Sequence, residues 1–161
     1  MDWSSLFIMQ KNLDQYIEDN HDLTAADLFQ EKCLALLVEL GELANETRCF
    51  KFWSKKSSSP KEKILEEYVD GIHFIMSLGL EKGFEYKTKS ISNLNYNLTE
   101  QFTVVFESCL TFKNNPSQKT YASLFNAYLQ LGQLLEISEE ELQQAYTKKN
   151  EKNYERQNEG Y

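Results

Sequence analysis

Proline and glycine are scarce in this sequence, with two and six residues in a chain of 161. That shortage argues against a β-rich fold, where turns recur often, and suits long helices with few breaks. Long uncharged runs are missing too. No stretch of about 20 residues is free of charge, which leaves no membrane span. No basic segment leads into an apolar run near Met1, so no signal peptide is read there. Positive charge is short: 17 Lys and Arg stand against 25 Asp and Glu, a formal net charge of −8. A nucleic-acid backbone is held by a basic surface, so direct binding to DNA or RNA is disfavoured. A phosphate substrate stays open if a metal cation supplies the positive charge. Cys33, Cys49 and Cys109 show no CxxC spacing, which reads as reduced thiols in a cytoplasmic protein and not as a zinc site.

What is present is a core-forming composition, 41% hydrophobic and 13% aromatic, of a size usual for one domain. The pattern predicts an all-α bundle of about six helices over residues 1–161. Leu6, Met9, Leu13, Tyr16 and Ile17 recur at helical spacing over about 2–19. A second helix is expected from Thr24, read as an N-cap, to Glu46. Residues 49–60 form a loop ending in Ser-Ser-Ser-Pro. The third helix runs over 61–82 between Pro60 and Gly83. The fourth and fifth are placed at about 93–113 and 117–135. Ser138 and Glu141 have capping-box spacing for a sixth, and the polar residues towards Tyr161 are read as a mobile end.

Acids stand where apolar helices should have none. From Cys33 to Ala44 the second helix is apolar nearly all round, with Glu39 and Glu42 its charges. Leu34, Leu37, Val38 and Ala44 are read as one face, with Ala35, Leu36 and Leu43 beside the carboxylates. A three-residue step turns about 300° and rises about 4.5 Å, so the two acids project side by side. The third helix repeats the pattern with Glu67 and Asp70. Buried like charges repel, so such pairs must be protonated, matched by bases or shared by a cation. Two pairs on neighbouring helices favour the cation. Carboxylate-only ligands suit Mg²⁺, with Mn²⁺ as a substitute. A di-iron bundle would need paired Glu-x-x-His motifs, and His21 and His73 do not supply them.

Three ordered segments, VELGELANETRCFKFW, EEYVDGIHFIMSLGL and KNEKNYERQNEGY, resemble the dimeric dUTPase family of the all-α nucleoside triphosphate pyrophosphatase superfamily. The resemblance implies Mg²⁺-dependent hydrolysis of dUTP, and of dUDP, to dUMP with release of pyrophosphate or phosphate. Glu39, Glu42, Glu67 and Asp70 match the metal ligands, and Glu39 or Glu42 would also activate the attacking water. Trp53 matches an aromatic residue near the uracil, and His73 a histidine near the nucleoside. Gln10 lies where the family reads the uracil edge, with Asn12 or Asp14 nearby. Lys149, Asn153, Arg156 and Tyr161, in the segment 146–161, would close on the phosphates. A homodimer is implied as well. The alternatives are a pyrophosphatase of broader dNTP specificity and a helical module that binds a regulator, such as a phage-type repressor.

Overall fold

The computed structural model describes residues 1–23, 26–87 and 96–160. Among them six helices follow one another: α1 (Trp3–Asn20), α2 (Phe29–Thr47), α3 (Lys61–Lys82), α4 (Leu98–Asn114), α5 (Gln118–Leu134) and α6 (Glu139–Asn158). The expected all-α bundle is therefore the fold. α3 is its centre, packed by α1, α2, α5 and α6, while α4 lies against α2 and α5.

Local chemistry explains most of the boundaries. Gly83 takes the left-handed conformation at φ 70° and stops α3; the Phe84 N–H returns to the Gly79 carbonyl at 2.8 Å. Ser138 and Glu141 form the expected capping box. Two starts differ from the sequence reading. α2 begins at Phe29, later than the expected Thr24, which lies outside the described residues. Its first N–H groups are held from elsewhere: Glu81 of α3 accepts from the Leu28 N–H, and Asp27 from that of Phe29. α4 begins at Leu98 and not near 93, because Asn97 and Glu100 build a reciprocal capping box. The last helix continues through Asn158, so the polar end expected to be mobile is helical almost throughout.

The α3–α5 contact is closed by three tyrosines seated on three glycines. A Cβ on Gly71 would meet the Tyr128 hydroxyl at 2.0 Å, one on Gly132 the Tyr68 hydroxyl at 2.3 Å, and one on Gly79 the Tyr121 ring at 2.4 Å. Each hydroxyl donates to a helix carbonyl: Tyr68 to Tyr128 O, Tyr128 to Tyr68 O and Tyr121 to Ile75 O. The Tyr68 and Tyr128 rings stack at 4.7 Å. Small residues let large aromatic rings approach the backbone, and every buried hydroxyl is satisfied.

α2 is apolar all round for a reason the sequence reading assigned differently. Cys33, Leu36, Leu40 and Leu43 are fully buried, whereas Leu34 and Val38, read as part of the other apolar face, are 63% and 49% exposed. No helix among the described residues is long and apolar enough to cross a membrane.

Candidate active site

Because α2 and α3 lie side by side, their acids converge. One carboxylate oxygen from each of Glu39, Glu67 and Asp70 lies within 4.8 Å of the others. Burial, then Asp70, Glu42 and Glu67, push the Glu39 carboxyl up to about 7. Burial and the neighbouring acids Asp70 and Glu42 also raise Glu67. Burial raises Asp70, against the opposing pull of Lys149. Three oxygen donors that repel one another suit a hard divalent cation, which would remove the repulsion that lifts them. Glu42 is exposed and stands outside this trio, though its charge reaches both Glu39 and Glu67. Glu46, next along the same helix, instead holds the loop before α3: it accepts from the Ser59 hydroxyl and pairs with Lys63 at 3.5 Å.

A cleft of about 360 Å³ opens beside Glu39 and Asp70, between α1, α2, α3 and α6. α6 supplies its cations. Lys149 Nζ lies 2.6 Å from Asp70 and 3.3 Å from Glu66, and Asn153 and Arg156 line the same space. One wall thus carries carboxylates and the facing wall ammonium and guanidinium groups, a layout suited to a metal-bound polyphosphate.

Towards α1 the cleft becomes less charged, with Leu13, Ile17, Leu28 and Phe74 along its sides. Here lie Gln10, Asp14, His73 and Ser77. Gln10 donates to Asp14 at 2.7 Å and accepts from the Tyr146 hydroxyl at 2.7 Å. The His73 ring bonds to Gln10 through Nδ1 at 2.7 Å and stacks on Tyr146 at 4.1 Å. Burial, and then Lys149, push His73 down to about 3, so it is neutral near pH 7. Lys32 forms the far end, paired with Glu81 at 2.5 Å.

Of the sequence-predicted residues, the structure gathers Gln10, Glu39, Asp70, His73, Lys149, Asn153 and Arg156 around one cleft, with Glu67 beside them. Trp53 is not among them. It sits in the α2–α3 loop, 65% exposed, against Phe50 and Phe52. Tyr161 lies outside the described residues. Sequence reasoning passed over Lys32, Ser77 and Tyr146. Tyr146 had a readable signal, since Leu142, Tyr146 and Asn150 are the buried stripe of an otherwise polar α6.

A wall of acids facing a wall of bases is compatible with several phosphate chemistries, and the family comparison decides among them. The sequence model of the dUTPase family matches residues 2–161, essentially the whole chain. This chain belongs to the dUTPase family. It is a dUTP diphosphatase, and its substrate is dUTP. Members of the dUTPase family use a divalent metal, and the carboxylate cluster is the feature here that could hold one. No curated protein matches the sequence.

Proposed function

We propose that this dUTPase hydrolyses dUTP, and dUDP, to dUMP with Mg²⁺ held by Glu39, Glu42, Glu67 and Asp70. The observation that carries the reading is the convergence of Glu39, Glu67 and Asp70, two of which line the cleft. When bound, the cation neutralises phosphate charge, polarises a phosphoryl oxygen and makes a water more acidic. The chain's own groups do the rest. Glu39 or Glu42 takes the proton of the attacking water as general base. Lys149, Asn153 and Arg156 hold the phosphates from the α6 side, and the planar Arg156 fork suits two phosphate oxygens at once. Lys149 leaves Asp70 for the phosphate as substrate enters. The segment 146–161, including Tyr161, closes over the chain of phosphates, and Trp53, exposed outside the cleft in the single chain, covers the uracil only once its loop moves to the cleft.

The exposed Leu34 and Val38, with Phe52 at 93% exposure in the following loop, support a homodimer built on this side of the molecule. The cytoplasm, where three unpaired thiols stay reduced, is the proposed location.

The deciding assay is release of pyrophosphate from dUTP, dTTP, dCTP and UTP, and of phosphate from dUDP, with and without Mg²⁺. Strong preference for the two uracil deoxynucleotides, and only with the cation, is expected. Equal turnover of dTTP would reject the base preference, and full activity in a chelator would reject the metal. Protease protection of residues 146–161 should rise with Mg²⁺ and a non-hydrolysable dUTP analogue; unchanged cleavage would reject closure.

A further inference from the structure

Lys149 stands between two hollows. Among the described residues it alone lines both the cleft and a second space, of about 560 Å³, between α3 and α6. Leu65, Val69 and Ala145 make part of that second space apolar, and Glu66, Lys148 and Lys152 also line it. The Lys149 ammonium group therefore has room on two sides, with an acid on each. Its Nζ donates to Asp70 Oδ2 at 2.6 Å on the cleft side and to Glu66 Oε1 at 3.3 Å on the other.

The two acids lie one turn apart on the same face of α3, but their settings differ. The Asp70 and Lys149 side chains are 17% and 11% exposed. That of Glu66 is 46% exposed, and it is shared with Lys152 at 3.3 Å. A short, sheltered, charge-assisted bond outweighs a longer one open to solvent. Lys149 thus rests on Asp70, and Glu66 is the weaker acceptor.

Asp70 is also one of the three acids that converge. An ammonium group on its oxygen takes up charge that a divalent cation would use, and two cations on one carboxylate repel each other. We propose that Lys149 is a tethered competitor of the metal at Asp70, and that Glu66 is the positioning residue that receives its ammonium group when the metal binds. This rests on the proposed metal site at Glu39, Glu67 and Asp70. Glu66 belongs neither to that trio nor to the lining of the cleft, so its part is played through Lys149 alone. Lys152 opposes the transfer, because it holds the same Glu66 oxygen and repels a second ammonium group.

A nucleotide phosphate is a third acceptor for Lys149. Once it draws the ammonium group away, the competition at Asp70 ends. Metal and nucleotide therefore each bind more tightly in the presence of the other, and by linkage the gain is equal in both directions.

The test is Mg²⁺ titration of the nucleotide-free protein by calorimetry, in wild type and four variants. Asp70→Asn should weaken binding roughly tenfold or more, and Lys149→Met should tighten it about tenfold, the scale of one hydrogen bond to a charged group. Glu66→Gln should weaken it about threefold, as suits a half-exposed pair. In the Lys149→Met background the same Glu66→Gln change should have no effect. Loss of a nearby negative charge alone would weaken binding equally in both backgrounds, so an additive double variant overturns the role of Glu66. The unsubstituted protein gives a second readout, the ¹H–¹⁵N resonances of its lysine ammonium groups. Mg²⁺ should shift that of Lys149, and that of Lys152 with it, since both then share Glu66. An unmoved Lys149 resonance, or unchanged affinity in Lys149→Met, overturns the competition and leaves the metal site standing. Unchanged affinity in Asp70→Asn overturns both.

Discussion

The two sides of α3 make opposite use of polar groups. Towards α5, Tyr68, Tyr121 and Tyr128 are buried with every hydroxyl bonded to a carbonyl. Towards α1, α2 and α6, the same helix presents Glu67 and Asp70, raised by burial, and a histidine nitrogen with no partner among the described residues. One side is complete without a ligand and the other is not. Stability is concentrated where the polar groups are satisfied, and binding where they are left wanting.

Substitutions on the two sides should therefore move activity and stability in different directions. The largest expected effect is on the acidic side: Glu39→Gln should lower dUTP turnover about a thousandfold, close to 4 kcal/mol of transition-state stabilisation. The same substitution should raise the metal-free melting temperature at pH 8, because it removes a carboxylate that its neighbours repel. An active variant, or one that melts lower, would break the contrast.

On the tyrosine side, Gly71→Ala should cost about 3 kcal/mol in urea denaturation, since the new methyl group collides with the Tyr128 hydroxyl. The residual folded fraction should keep its nucleotide affinity. If Gly71→Ala leaves stability unchanged, the close fit is not what holds α3 to α5.

Cation binding should be the next largest effect and should depend on pH. Glu39 titrates near 7 in the folded chain, above its ordinary value of 4.5. Its protonated form is the one that favours folding, so this contribution is whole below pH 4.5 and is lost as pH rises through 7. Mg²⁺ at a hundred times its dissociation constant adds about 2.7 kcal/mol. The thermal shift it causes should be large at pH 8 and shrink towards pH 5. A shift independent of pH would place the cation away from Glu39.

The smallest effect probes the outer face of α2. Gly41 lies mid-helix, where a Cβ would have nothing within 4 Å. Gly41→Ala should add about 0.5–1 kcal/mol from helix propensity alone. Loss of stability there would mean that a second chain approaches this face closely.

Much of this was readable from the residues. Pro60, Gly83 and the Ser138–Glu141 pair marked ends that depend on local chemistry, and those ends are where they were expected. The start of α2 was not, because Glu81, distant in sequence, satisfies its first N–H group. Asn97-x-x-Glu100 was a legible capping box that the reading of a longer α4 overran. The acids were legible because charge inside an apolar helix is anomalous. Lys32 was not, since a lysine near a helix start is ordinary until its ion pair with Glu81 is seen. Nor could one sequence show that Leu34 and Val38 face outward. Hydrophobicity records that a side chain avoids water, not which body covers it.

The cleft draws Gln10 and Asp14 from α1 and Lys149, Asn153 and Arg156 from α6. Synthesis makes the α1 groups before the α6 groups, and the three converging acids emerge between them. A nascent chain that has exported only α1 to α3 already holds those acids, but without the Lys149 that moderates them. The facing wall of the cleft is absent until α6 docks on α1 and α3, so the cleft is assembled only after all of these helices have been made.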